Sequence, residues 1–299
     1  MGSFDQRQAV AAIRHARDLG INLFDTAQAY GFGASERLLG EALRDDLDNR
    51  RDEVVIATKG GLRDDDERPR DASREWLRNG VERSLRELGV EHIDLYQVHW
   101  PDPDTPFAET AAALQELVDE GKIRHVGVSN YDTEQIAEFA WTRPVETVQS
   151  LYNLFQREIE ADPVPYAREH DIGVLAYSPL AHGLLTGAMD EQTTFEPGDW
   201  RGSSPQFQGE TFRRNLEIAR ELARFAAGEL GCTVSQLAIA WTLANPAVHV
   251  AIVGARKAAH IEDSVGAVDV VLTDDHMARI DEICSSAVSA EGPQPEAMP

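Results

Sequence analysis

Short apolar runs alternate with longer amphipathic stretches from one end of the chain to the other. The apolar runs predict seven strands, at residues 21–26, 54–59, 93–99, 125–130, 147–151, 173–178 and 250–255. Between them, stretches such as 72–88, 109–120 and 162–170 have the periodicity of helices that bury one face. This alternation of strand and helix predicts a parallel sheet with helices packed outside it.

The same pattern continues along almost the whole chain without a break. No Gly/Ser-rich linker, charge block or change of composition divides it, so we predict one domain over residues 1–288. Residues 289–299 are small, polar and proline-rich and are predicted to form a disordered tail. Residues 181–210 are rich in Gly, Pro, Thr and Ser, and a segment of this length in a compact domain predicts a lid or specificity loop.

The strand count falls one short of a common architecture. A chain of 299 residues suits a single (β/α)8 TIM barrel, which closes with eight strands. Here seven strands are predicted, and the chain opens on a predicted helix at residues 6–20. We therefore expect an α/β fold, a (β/α)8 barrel that lacks its first strand or is truncated there and that leaves two unpaired sheet edges.

The amino-acid composition argues against several classes of binding partner. The formal net charge is -24, and such a surface repels nucleic-acid phosphates and anionic lipid headgroups, so neither is expected as a partner. The first residues lack the pattern of a secretory signal, and no apolar run is long enough to cross a bilayer, so we expect a cytoplasmic protein. Cys232 and Cys284 form no CxxC pair, which predicts neither a disulfide nor a zinc site, and no metal is expected.

Candidate chemistry is concentrated where the predicted strands end. In (β/α)8 barrels the active site lies at the carboxyl ends of the strands, so polar residues at these positions carry the most weight. The residues selected in this way are Asp25, Tyr30, Lys59, His99, Ser129, Asn130, Gln149, Tyr177, Ser178 and Arg256.

Four of these residues suggest a proton-transfer mechanism. A charged Lys59 at the end of a buried strand needs a partner, and Asp25 can neutralise it. The ammonium would also lower the pKa of a nearby Tyr30 phenol, which would make Tyr30 a proton donor near neutral pH. His99 could then donate a hydrogen bond to a carbonyl oxygen and polarise it.

These residues stand in motifs that resemble the aldo-keto reductase superfamily. The matching stretches are FDTAQAYGFGASERLLGEAL, ATKGG, DLYQVHWPD, GKIRHVGVSNY, LAYSPLAHGLLTG and IVGAR, and the resemblance runs from about residue 6 to about residue 285. It implies a (β/α)8 reductase that transfers a hydride from NADPH to aldehydes or ketones. It also implies a catalytic tetrad of Asp25, Tyr30, Lys59 and His99, with Tyr30 as the general acid.

The resemblance further implies where the cofactor and the substrate bind. Ser129, Asn130 and Gln149 would bind the nicotinamide carboxamide and Tyr177 would stack on the ring; the remaining cofactor contacts would come from Ser178, Leu180, Gly183, Gly254 and Arg256. Arg256, at the predicted start of a helix, would hold the 2′-phosphate, which favours NADPH over NADH. Tyr30, His99 and Trp100 would contact the carbonyl substrate.

The chain departs from the family pattern at two places. No counterpart of the usual first hairpin and first barrel strand is found, and His260 and Ser264 stand where relatives commonly carry Gln and Asn near the adenine. The sequence predicts neither the physiological substrate nor the oligomeric state.

Several other interpretations stay open at this point. Ser129 and Asn130 could cap the next helix, Tyr177 could be a core residue, and Arg256 could be a solvated surface charge. The protein could be an NADPH-binding sensor with little turnover. Lys59 could instead form a Schiff base, as in an aldolase-like barrel.

Overall fold

The computed structural model describes residues 6–64, 69–254 and 257–289. Over these residues it contains one parallel sheet in which neighbours in sequence are neighbours in space. The strands are β1 (Leu23–Asp25), β2 (Val55–Gly60), β3 (Ile93–Val98), β4 (Ile123–Ser129), β5 (Thr147–Leu151), β6 (Gly173–Tyr177) and β7 (Val248–Ile252). The seven predicted strands correspond to the seven observed in the described residues, with boundaries that differ by at most three residues, and the predicted barrel architecture is confirmed.

Helices follow most of the strands and form an outer layer. They are α1 (Gln6–Asp18), α2 (Ala34–Ala42), α3 (Arg44–Asn49), α4 (Arg74–Leu88), α5 (Phe107–Asp119), α6 (Thr133–Ala140), α7 (Val164–Glu169), α8 (Gly209–Phe225), α9 (Val234–Ala244), α10 (Ala258–Val265) and α11 (Asp274–Cys284). None of the helices in the described part of the chain combines the length and the apolar character that a membrane span requires.

Local sequence signals define where several helices begin and end. Ser73 caps α4 by accepting a hydrogen bond from the Trp76 amide, and the helix stops at Gly89, whose φ of 67° suits a residue without a Cβ. Asp132 starts α6 and Thr273 starts α11 through capping boxes, in which the cap and the third helical residue satisfy each other's backbone amides.

Two apolar cores result from the alternation of side chains along the strands. On the outer face, Ile56, Val126 and Val148 are fully buried with Leu77 of α4 and Leu114 of α5. This outer core fills the space between the sheet and the helices and is the larger of the two.

The inner face of the strands forms a second, smaller core. Ala57, Leu95 and Leu175 make up its buried part, and Val250 and Ile252 pack against them. Lys59 and Gln97 each follow one of these residues by two positions, and side chains two apart share a face of a strand. The polar residues at the strand ends therefore lie next to this inner apolar cluster, on the same face of the strands.

The sheet does not close in the described residues, but helix packing continues across the gap. No pairing links β7 to β1 among the described strands. Helix α1 packs on both α2 and α10, and His15 Nε2 lies 2.8 Å from Glu262 Oε1. Helix α1 thus joins the two ends of the helix layer across the gap in the strand order.

Candidate active site

A buried ion pair at the carboxyl ends of the strands joins Asp25 and Lys59. Lys59 Nζ forms an ion pair with Asp25 Oδ1 and donates a second hydrogen bond to the carbonyl oxygen of Thr26 at 3.1 Å. The two side chains are almost fully buried, with 1% of Lys59 and 6% of Asp25 exposed. Burial of a charge is costly unless it is paired, so each residue accounts for the other.

Tyr30 and His99 complete the predicted group of four. Their rings meet edge to face, with centroids 5.8 Å apart and planes at 81°. Lys59 Nζ lies 5.3 Å from the centroid of the Tyr30 ring. Side chains from the first three strands and the turns that follow them thus converge at one point, a phenol between an ammonium and an imidazole.

His99 is the residue of this group whose hydrogen-bonding capacity is unused. It is 1% exposed, and neither ring nitrogen has a hydrogen-bond partner among the described residues. Burial, assisted by the positive charge of Lys59, lowers the pKa of His99 well below its usual value. The ring is therefore neutral, with one N–H donor and one acceptor available to a molecule bound beside Tyr30.

The residues predicted to bind nicotinamide lie beside this group. Asn130 adopts a positive φ of 62°, its amide nitrogen donates to the His99 carbonyl at 3.1 Å and to Ser129 Oγ at 3.1 Å, and its oxygen accepts from the Tyr177 hydroxyl at 2.9 Å. Asn130 therefore ties together the ends of three strands. Helix α6 is capped by Asp132, so the alternative in which Ser129 or Asn130 caps it does not describe this structure.

Gln149 points toward the ion pair, and so does a residue that the sequence analysis did not select. Gln149 Nε2 donates to Asp25 Oδ2 at 3.0 Å, and Gln97 Nε2 donates to the same oxygen at 3.2 Å. A signal for Gln97 was present in the sequence, because a polar amide two residues after Leu95 and two before His99 interrupts an otherwise apolar inner face.

Three of the predicted cofactor contacts, Ser178, Leu180 and Gly183, lie in a tight bend after β6. Positive φ angles occur at Ser178 (54°), Ala181 (47°), His182 (53°) and Gly183 (104°), and Leu180 is partly buried within the bend. Such a run turns the chain sharply back over the end of the strand.

His182, which the sequence analysis did not select, is part of this bend. Its Nδ1 lies 3.1 Å from Ser178 Oγ, its ring meets Trp200 edge to face, and Arg201 donates to its carbonyl at 3.2 Å. Burial, with a contribution from the Arg201 charge, lowers the pKa of His182 to about 4. No spacing signal marked this histidine, because its contacts with Trp200 and Arg201 come from a later segment of the chain.

Not all of the remaining predicted positions are described by the structure. Arg256 lies outside the described residues, as do residues 290–299 of the predicted tail. Gly254 is exposed after β7, and Ser264 Oγ donates to the His260 carbonyl at 2.8 Å on α10. Trp100 follows His99 and is half-buried, with the Arg70 guanidinium 5.0 Å from its ring centroid.

Two alternative chemistries can be judged from this geometry. No group of three or more His, Cys, Asp or Glu side chains suited to hold a metal gathers within residues 6–64, 69–254 and 257–289. A Schiff base needs a neutral amine that the substrate can reach, whereas Lys59 Nζ is buried against a carboxylate and a carbonyl. The arrangement suits proton donation to a small polar group next to Tyr30 and His99.

Comparison with known proteins gives a consistent result. The profile of the aldo/keto reductase family matches residues 1–285. The chain is 44% identical to the aldo-keto reductase YhdN of Bacillus subtilis, over 87% of this chain and 78% of that protein. It is 33% identical to the NADH-specific methylglyoxal reductase of Escherichia coli, over 91% of this chain and 86% of that one.

Solved structures show the same similarity. The glycerol dehydrogenase of Gluconobacter oxydans superposes with a TM-score of 0.87 and 40% identity, covering 100% of this chain and 91% of that one. An aldo-keto reductase from Klebsiella pneumoniae, solved in complex with NADPH, superposes with a TM-score of 0.74 and 32% identity, covering 93% of this chain and 85% of that one.

Proposed function

Because the chain belongs to the aldo/keto reductase family, we propose that it reduces aldehydes or ketones to alcohols with NADPH and that Tyr30 supplies the proton. The observation that carries this proposal is the convergence of Tyr30 with the Asp25–Lys59 ion pair and the neutral His99. When bound, NADPH supplies a hydride to the carbonyl carbon. The protein must then hold the substrate and deliver a proton to its oxygen.

The proton chemistry is assigned to Tyr30. The ammonium of Lys59 stabilises the phenolate that remains after the proton has left, and Asp25 holds that ammonium in place. The neutral His99 donates its N–H to the same carbonyl oxygen and so stabilises the negative charge that develops there. Trp100, next to His99, is proposed as one wall of the substrate site.

The residues at the strand ends fit a cofactor that carries a carboxamide. Gln149 Oε1 accepts none of the described hydrogen bonds, although its nitrogen is held by Asp25 and Gln97. That oxygen can accept from an amide, and we assign Ser129, Asn130 and Tyr177 to the same end of the cofactor. Ser178, Leu180, Gly183 and Gly254 are proposed to line the rest of its path.

The proton-donor role is tested by Tyr30→Phe. We expect turnover of a reactive aldehyde to fall by about 100- to 10,000-fold, because a general acid is removed, while NADPH affinity measured by fluorescence is retained. The matched control is Tyr166→Phe, in which a ring stacked on His170 in α7 loses its hydroxyl. Undiminished turnover in Tyr30→Phe would contradict the assignment. NADPH binding by the wild type without any turnover would instead favour the sensor interpretation.

The preference for NADPH is tested at Arg256. The Klebsiella structure in complex with NADPH supports NADPH as the cofactor. Because the relative from Escherichia coli is NADH-specific, the affinities for both cofactors have to be measured. We expect Arg256→Ala to weaken the binding of NADPH by about 10- to 100-fold, since a charge-assisted hydrogen bond to phosphate is lost. The affinity for NADH should stay nearly unchanged. Arg214→Ala, an exposed change on α8, is the control, and equal weakening of both cofactors would rule out the 2′-phosphate role.

A further inference from the structure

Two primary amides are buried inside the barrel next to the ion pair. Gln97 is 0% exposed and Gln149 is 1% exposed. A primary amide carries two N–H donors and one acceptor oxygen, and burying it without partners is costly. Both amide nitrogens find their acceptors within the barrel interior.

The hydrogen bonds form a closed arrangement around the carboxylate of Asp25. Gln97 and Gln149 both donate to Oδ2, at 3.2 Å and 3.0 Å, and Lys59 occupies Oδ1. Gln149 Nε2 also donates to Gln97 Oε1 at 3.3 Å. Gln97 therefore uses its donor to hold Asp25 and its acceptor to fix which way the Gln149 amide points.

The strands leave a specific space for Gln97. It pairs in register with Lys59 on one side and with Gly127 on the other. A Cβ on Gly127 would lie 3.0 Å from Gln97 Cγ and 2.2 Å from Thr147 Oγ1. The absence of a side chain at Gly127 is what lets the Gln97 side chain lie across the barrel and reach Asp25.

We propose that Gln97 is a positioning residue that holds the Asp25 carboxylate and thereby tunes the proton affinity of Tyr30. This role deepens the proposed function and rests on it for its purpose in catalysis. Among the described groups, the ammonium of Lys59, the carboxylate of Asp25 behind it and the neutral His99 face Tyr30. The N–H dipoles of the two glutamines offset part of the negative charge of Asp25, so the field of Lys59 at the phenol is less opposed.

The electrostatic consequence has a definite sign. Removing the Gln97 donor makes the potential around Asp25 more negative, which destabilises a phenolate at Tyr30. The pKa of Tyr30 should therefore rise when Gln97 loses its amide. A purely structural role for Gln97 predicts no such shift.

The test is an NMR titration of tyrosines labelled with ¹³C at the ring carbon that bears the hydroxyl, with the Tyr30 signal assigned by its loss in Tyr30→Phe. In Gln97→Met, which keeps the unbranched shape without the amide, we expect the Tyr30 midpoint to rise by about 0.5 pH unit or more. Gln97→Asn, whose shorter amide cannot reach Asp25, should show the same rise and guards against misfolding of the first variant. An unchanged midpoint in a folded variant of either kind would overturn the proposal.

The control is Leu95→Ala, on the same strand and the same inner face. This change opens a cavity in the inner apolar cluster but removes no hydrogen bond to Asp25. The midpoint of the Tyr30 titration should therefore be the same as in the wild type. An equal shift in Leu95→Ala would mean that loosened packing is the cause and would also overturn the proposal. The titration reports Tyr30 directly, so a wild type without turnover would contradict the proposed function and still leave this result decisive.

Discussion

Glu36 is a carboxylic acid that lies entirely inside the protein. It is 0% exposed on α2, Thr58 donates to its Oε1 at 2.7 Å, and its Oε2 has no partner among the described residues. Burial raises the pKa of Glu36, which means that the fold favours its protonated form. Thr58 precedes Lys59, so this acid lies directly behind the proposed site.

The raised pKa of Glu36 predicts how the stability of the protein depends on pH. A group whose pKa is raised on folding contributes stability at low pH, and this contribution is lost as the pH rises through the folded value. Glu36→Gln removes the ionisation, so we expect the free energy of unfolding of the variant, relative to the wild type, to increase between pH 5 and pH 8. Urea unfolding at the two pH values measures this.

The matched control for Glu36 is available on the same helix. Glu41 is exposed on α2 and contacts Gln6, so Glu41→Gln should change the stability by nearly the same small amount at both pH values. If the free energy of unfolding changes with pH by the same amount in Glu36→Gln and in the wild type, Glu36 is not the source of the pH dependence.

At the scale of elements, residues 181–210 are more ordered than their composition predicts. They contain three short 3-10 helices, Ala181–Thr186, Trp200–Gly202 and Pro205–Phe207. The Phe207 ring lies 5.3 Å from that of Phe195, 5.9 Å from Trp200 and 6.1 Å from Phe212 of α8, measured between centroids. Aromatic packing anchors this segment, and its role as a lid or specificity loop stays a prediction.

The anchoring of this segment is tested by Phe207→Ala. Removing the ring takes away the centre of the cluster, and we expect a loss of about 3–5 kcal/mol in stability together with faster proteolytic cleavage within residues 187–206. Phe225→Ala is the control, because Phe225 packs on His276 at the other end of α8. Cleavage at the same rate in both variants would mean that Phe207 does not hold the segment.

In the molecule as a whole, negative charges greatly outnumber positive charges. The chain has 52 acidic residues against 28 Lys and Arg, so like charges repel one another across the folded surface. The exposed ion pairs of the described residues contribute little individually. Self-repulsion should therefore outweigh them.

We expect the melting temperature to rise with ionic strength. The Debye length falls from about 10 Å at 0.1 M to about 3 Å at 1 M salt, which screens the repulsion more than the close pairs. Thermal unfolding in NaCl and in choline chloride at equal ionic strength measures this, and agreement between the two salts excludes specific sodium binding. A melting temperature that falls with salt would show that ion pairs dominate instead.

The sequence by itself determined the number and order of the strands and the end of the sheet at which the candidate site residues lie. Each buried parallel strand is a short apolar run, and in several of them a polar residue stands at the carboxyl end or just after it. Asp25, Lys59 and His99 could be selected for this reason, because local hydrophobicity alone places them at the same edge.

Only the tertiary structure decided which polar groups touch. Gln97 and Gln149 meet on Asp25 because the register of five strands brings positions 72 and 124 residues away from it within hydrogen-bond distance. His182 depends in the same way on Arg201 and on a run of positive φ angles, and α1 packs on α10 across the gap between β7 and β1. These contacts depend on side-chain direction and on packing between distant segments, which no periodicity along the chain records.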